Sequence, residues 1–278
     1  MSLNNIEDIA AFIVADGKGI LAADESNPTC GKRFDSIGVE STEENRRDYR
    51  ELLFRSKGMK DNIGGVILFD ETIRQSAKDG TLLRDVIKNQ GALPGIKVDK
   101  GLQPLEDCPG ETVTVGLDGL DERLKEYSSM GAKFTKWRAV INIGDGLPSD
   151  KCIDANMEAL ADYAKCAQDN EMVPIVEPEV LMDGEHSIDE CYEATERSLK
   201  SLFEHLDKKG VNIKGTLLKP NMVTSGKDAS VQAGIDEVAK KTLDCLIANV
   251  PADLPGITFL SGGQSDVLAT AHLDAMNK

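Results

Sequence analysis

The sequence predicts an α/β barrel of parallel strands, and three observations carry that prediction. Short apolar runs recur along the chain, each followed by a polar or amphipathic stretch, at intervals of roughly 30 to 45 residues; such alternation builds parallel sheets covered by helices. The runs end in charged residues, Asp24, Asp70, Lys97, Lys136, Glu177 and Lys219, and in a barrel those strand ends form the active-site face. Neither GxGxxG nor GxxxxGK followed by Ser or Thr occurs, which argues against an open doubly wound sheet with a phosphate site in its first βα turn.

The predicted strands, in order, are GKGILAADE from Gly17, GGVILFDE from Gly64, GIKVDKG from Gly95, AKFTKWRAV from Ala132, MVPIVEPEV from Met172, GTLLKPNM from Gly215 and GITFLSGG from Gly256. Between them, apolar residues three and four apart predict helices over Thr42 to Phe54, Ala155 to Asp169, Ile188 to Lys208 and Ile235 to Asn249. Thr42, with Asn45 three residues on, reads as the cap of the first. After GITFLSGG the chain runs through the helix-like QSDVLATAHLDAMN to Lys278. The expectation is therefore one domain over residues 1–278, a TIM (β/α)8 barrel lacking its eighth strand and C-terminal helix. Such a barrel has two open edges, and the 278-residue chain is expected to be poorly stable and weakly active.

Composition narrows the chemistry. The chain has 278 residues, 40% of them hydrophobic, with no apolar run long enough to cross a bilayer. A net charge of -16 opposes binding to nucleic acid or an anionic membrane. The six cysteines, Cys30, Cys108, Cys152, Cys166, Cys191 and Cys245, include no CxxC pair; they read as reduced thiols of a cytoplasmic protein. His186, His205 and His272 are the three histidines and none is spaced HxxxH, so a His-rich metal site is not expected. Lysine and carboxylate chemistry remains.

Lys219 follows the apolar run TLL and precedes Pro220, which restricts it to extended geometry. A side chain so placed projects into a packed interior or a pocket, where desolvation favours the neutral amine and makes it a nucleophile toward carbonyl carbon; a surface lysine that snorkels outward is the alternative. In Ile175-Val176-Glu177-Pro178-Glu179 strand parity puts both glutamates on one face. Two close carboxylates share a proton and supply acid or base catalysis, unless Glu179 lies past the strand in solvent. By the same parity Lys136 pairs with Arg138, and Lys97 with Asp99. Those cations predict either a positive focus for an anionic substrate or an internal ion-pair network. Ser261-Gly262-Gly263-Gln264-Ser265 precedes a helix, so its backbone N–H groups can converge on an anion; a plain tight turn is the alternative. Asp24 ends the first strand as a base or as an N-cap.

Taken together, GKGILAADES, TEENRR, GGVILF, GIKVDKG, GLDGL, KWR, PIVEPE, GTLLKPNMVT and GITFLSGGQS resemble, in order, class I Schiff-base-forming fructose-1,6-bisphosphate aldolases. The resemblance spans almost the whole chain. It implies an (α/β)8 barrel that cleaves fructose 1,6-bisphosphate reversibly to dihydroxyacetone phosphate and glyceraldehyde 3-phosphate with neither metal nor cofactor. It further implies that Lys219 forms the Schiff base, Glu177 is its acid and base, Glu179 holds the lysine environment, Asp24 takes the C4 hydroxyl proton and Lys136 stabilises the shifting charge. Arg138 and Lys97 would bind the C6 phosphate, with Ser26, Thr29, Lys32 and Arg33 in the same region, and Ser261 and Gly262 the C1 phosphate. The family is commonly tetrameric or dimeric, so a homo-oligomer is expected. Two other readings stay open: a related Schiff-base aldolase acting on another sugar phosphate such as sedoheptulose 1,7-bisphosphate, and a non-catalytic binding protein of aldolase descent.

Overall fold

The computed structural model describes residues 3–278. Helix α1 (Ile6–Ile13) precedes strand β1 (Gly19–Ala23), followed by helices α2 (Asn27–Asp35), α3 (Glu43–Phe54) and α4 (Gly58–Asn62). Strand β2 (Ile63–Leu68) leads into α5 (Asp70–Arg74) and α6 (Leu83–Asn89), then strand β3 (Leu93–Lys97). A small antiparallel pair, β4 (Leu102–Pro104) and β5 (Thr112–Thr114), interrupts the alternation before α7 (Leu120–Ser129). The remainder alternates: β6 (Phe134–Ile141), α8 (Asp150–Asp169), β7 (Val173–Val180), α9 (Ile188–Lys208), β8 (Leu217–Leu218), α10 (Ile235–Asn249) and α11 (Asp266–Met276).

The helix ends follow local chemistry. Thr42 caps α3 by accepting from Asn45 N, and Ser187 and Glu190 close a reciprocal capping box on α9. Helix α8 begins at Asp150 rather than Ala155 because Ser149 accepts from Cys152 N and adds a turn ahead of the apolar repeat. The sixth strand run shortens to Leu217–Leu218, and the seventh forms no strand. Its backbone nonetheless follows β8: Leu218 N donates to Gly256 O, Thr258 N to Leu218 O and Leu260 N to Pro220 O.

The main sheet is wholly parallel in the order β1-β2-β3-β6-β7-β8. It curls into an open barrel. Asp24, just past β1, lies 2.7 Å from Lys136 on β6, although three strand spacings of about 4.8 Å each separate those backbones along a flat sheet. At the opposite end Ile9, Ala10 and Ile13 of α1 plug the interior against Ile67, Phe134, Val173, Ile175 and Leu217 from four strands. Gly65 and Gly95 make room there for the Phe134 ring: a Cβ on Gly95 would stand 2.3 Å from it. The larger core lies between sheet and helices and holds the stacked pair Trp137 and Tyr163.

Strand β1 pairs with β2 alone, and the run from Gly256 with β8 alone. Between these two edges lies a cavity of about 890 Å³, bordered by Ile20, Ile257, Phe259, Leu246 and Leu273 and reaching Lys219. Among the described residues the barrel is thus open at one seam. No helix among them is long and apolar enough to cross a membrane.

Candidate active site

Alternation along β6 and β7 decides which side chains enter the barrel. Phe134 fills the base, so Lys136 and Arg138 point the same way higher up; Val173 and Ile175 do likewise below Glu177 and Glu179. Lys219 joins them from the end of β8, its N–H donating to Val176 O at 2.9 Å.

These residues form one chain of contacts. Lys219 Nζ donates to Glu177 Oε1 at 2.6 Å, while Glu177 Oε2 stands 3.3 Å from Lys136 Nζ, which lies 2.7 Å from Asp24 Oδ2. Glu177 and Lys136 are buried, and the Lys219 side chain is 12% exposed. Burial alone would raise the Asp24 carboxyl, but Lys136, followed by Lys219 and a backbone hydrogen bond, together hold that carboxyl below the ordinary range. Burial likewise pulls the Lys136 ammonium down, and the opposing carboxylates, Glu177 first and then Asp24, hold it above the ordinary lysine range.

The structure departs from one expectation and decides between two pairs of alternatives. Glu177 and Glu179 share a face but turn to different cations: Glu179 is hydrogen-bonded to Arg138, while Glu177 lies between the two lysines. The cations are also not a free positive focus: Lys97 is paired with Asp99, Lys136 with Asp24 and Glu177, and Arg138 with Glu179. Charges removed from water recruit counter-charges, so the internal network prevails. Asp24 is not a helix cap; the residue at that position of α2 is Ser26.

A cavity of about 920 Å³ opens above the strand ends, lined by Asp24, Ser26, Thr29, Lys97, Lys136 and Arg138 among others. Ser26 Oγ and Thr29 Oγ1 are 3.0 Å apart at its rim. Lys32 and Arg33 lie one turn further along α2, outside the lining, and Arg33 is turned toward Glu25. Ser261 and Gly262 lie outside it too, beside Met182 and Asn221; the hydrogen bond from Leu260 N to Pro220 O brings their loop next to Lys219. Gly262 and Gly263 take φ of 63° and 91°, the left-handed region that bends this loop into α11. Sequence reasoning missed Glu25, Lys100 and Arg123 in the cavity wall. Glu25 could have been found by its place beside Asp24; Arg123 reaches the wall only through folding of α7.

Among the described residues no cluster of three or more His, Cys, Asp or Glu is placed to hold a metal ion. Fold and site together define a class: an α/β-barrel enzyme whose chemistry is built on a buried lysine and carboxylate chain. Residues 5–278 match the family described as "Glycolytic: Fructose-bisphosphate aldolase class-I". Over its full length the chain is 57% identical to a probable fructose-bisphosphate aldolase class 1 of Xylella fastidiosa strain 9a5c, covering 83% of that protein. It is 52% identical over 269 residues to the cytosolic fructose-bisphosphate aldolase 4 of Arabidopsis thaliana, covering 97% of this chain and 68% of the relative. Among solved structures, the fructose-bisphosphate aldolase of Plasmodium falciparum, crystallised with TRAP and a small-molecule inhibitor, superposes with a TM-score of 0.97 at 46% identity, over 98% of this chain and 79% of that one. The chain belongs to the class I fructose-bisphosphate aldolase family. Its activity is the reversible cleavage of fructose 1,6-bisphosphate through a lysine Schiff base, and its substrate is a phosphorylated sugar.

Proposed function

We propose that Lys219 is the Schiff-base lysine and that Glu177, Lys136 and Asp24 manage protons and charge around it. The observation that carries this is the unbroken chain from Lys219 through Glu177 and Lys136 to Asp24. Lys219 must lose a proton to attack the ketone carbon, and Glu177 Oε1 at 2.6 Å is placed to receive it. The same carboxyl returns a proton to the hydroxyl that leaves as water, which yields an iminium. Asp24 then accepts the C4 hydroxyl proton, the C3–C4 bond breaks, and its electron pair moves into the iminium to give an enamine and glyceraldehyde 3-phosphate. Protonation of the enamine and hydrolysis release dihydroxyacetone phosphate and restore the amine. Lys136, hydrogen-bonded to Asp24, offsets the charge as it moves.

Arg138 and Lys97, in the cavity wall, take the C6 phosphate, with Ser26 and Thr29 at its rim. Glu179 orients Arg138 for that task. Ser261 and Gly262, in the loop beside Lys219, take the C1 phosphate. The test is borohydride reduction with dihydroxyacetone phosphate, read by intact mass and peptide mapping. An adduct on Lys219 that is absent from Lys219→Ala supports the assignment; an adduct on another lysine overturns it.

A cytoplasmic location fits six unpaired thiols and the cytosolic Arabidopsis relative. A homo-oligomer fits the exposed Ile247 and Val267 on α10 and α11; a monomer by analytical ultracentrifugation would refute it.

A further inference from the structure

Helix α3 carries the TEENRR segment, to which the proposed chemistry gives no task, and its Arg50 is completely buried. A guanidinium removed from water is costly unless its donors are used. The nearest carboxylate oxygen, Glu25 Oε2, stands 3.6 Å away. Two of its three nitrogens instead donate to main-chain carbonyls, Nε to Ala23 O at 3.2 Å and Nη2 to Glu25 O at 2.6 Å, while Nη1 is buried without a hydrogen-bond partner. Those carbonyls belong to the residues on either side of Asp24. Tyr49 of the same helix adds a hydrogen bond to Glu25 Oε1, and Arg33 of α2 a second. Arg46, one turn earlier, anchors α3 through a bidentate pair with Glu71 and a hydrogen bond to Ser41 O.

We infer that Arg50 is a positioning residue that grips the backbone on both sides of Asp24 and so fixes the angle at which that carboxylate meets Lys136 and the substrate hydroxyl. Asp24 leaves β1 without ladder partners of its own, since the β1–β2 pairing ends at Ala23. The two carbonyl contacts take the place of that ladder. Displacement of a reacting group by about 1 Å costs on the order of 100-fold in rate, so the grip acts on carbon–carbon cleavage rather than on imine formation at Lys219.

The inference rests on the reading of Asp24 as proton acceptor, and the experiment separates the two. Arg50→Met, Arg50→Lys, Asp24→Asn and the double variant Arg50→Met/Asp24→Asn are compared for cleavage of fructose 1,6-bisphosphate and for borohydride trapping of dihydroxyacetone phosphate on Lys219. Arg50→Met is expected to lower kcat about 10- to 100-fold with KM and trapping within about two-fold of wild type, and to add nothing in the Asp24→Asn background. Arg50→Lys, which reaches one carbonyl, is expected to fall between. Wild-type cleavage in folded Arg50→Met, equal loss of trapping and cleavage, or multiplicative effects with Asp24→Asn would overturn the inference. Failure of both Arg50 variants to fold would assign the residue to the core and overturn it as well. Undiminished cleavage in Asp24→Asn would instead remove the proton-acceptor reading.

Discussion

Glu177 and Lys219 face each other across 2.6 Å from adjacent strands, and the contact is fixed by the main chain, because the Lys219 N–H donates to Val176 O immediately before the glutamate. The amine and the carboxylate are therefore aligned by sheet register, with little left to side-chain choice. Replacing Glu177 by Gln keeps shape and removes the proposed proton acceptor. The rate of borohydride trapping with dihydroxyacetone phosphate is expected to fall about 10²- to 10⁴-fold; an unchanged rate would take Glu177 out of proton transfer.

Lys136 holds two carboxylates in place, the buried Glu177 and the partly buried Asp24. Lys136→Met leaves Asp24 and Glu177 without that shared cation, and loss of one member of a buried ion pair costs about 3–5 kcal/mol. Urea denaturation should show that loss, and adding Asp24→Asn should return part of it. A midpoint equal to wild type would mean that water replaces the lysine at no cost.

The same pair sets a pH dependence. The depressed Asp24 carboxyl contributes stability that is present above its unfolded-state value of about 3.9 and is lost as pH falls through the folded-state value. Lys136 is raised, so its contribution is complete below about 10.4 and is lost as pH rises through its folded-state value. The stability difference between wild type and Asp24→Asn is therefore expected to be flat from about pH 5 to 9 and to shrink below about pH 4. A difference that grows on acidification would contradict the pairing.

Gly95 gives way to the Phe134 ring at the barrel base. Gly95→Ala is expected to destabilise by about 1–3 kcal/mol through overpacking, with Phe134→Leu in the same chain relieving it. The melting temperatures of the single and double variants measure this directly.

Burial, with Glu111 next in effect for Cys152 and Glu196 for Cys245, pushes both thiols up to about 12. At pH 8 in the native state neither is expected to react with iodoacetamide over hours, whereas both label in urea. Peptide mapping of the alkylated protein identifies any exception.

Much of this was legible along the chain because it depends on local periodicity. The ranges Ile188–Lys208 and Ile235–Asn249 emerge as α9 and α10 with the bounds their apolar spacing predicts. The parity of β6 and β7 correctly groups Lys136 with Arg138 and Glu177 with Glu179, since alternation is a property of the strand itself. The seventh run has the apolar content of a strand but is joined to β8 by a bridge at Ile257 and three main-chain hydrogen bonds, without forming a ladder. Apolar content cannot report how much of a run finds a partner.

By itself, the sequence determined the alternating barrel, the lysine and carboxylate character of its interior and the family to which it belongs, because each is carried by residue type and by short spacings. Only the tertiary structure decided which charges neutralise which. Arg138 takes Glu179 and Lys136 meets Glu177 across the paired strands β6 and β7, Lys97 turns to Asp99 two residues on, and Lys136 also reaches Asp24, far away in the chain, because the sheet curls. It also gave Arg50 its place behind Asp24, and it put Lys32 and Arg33 outside the cavity. Electrostatic partnership depends on distance and burial, and those exist only once the strands have closed around a common interior.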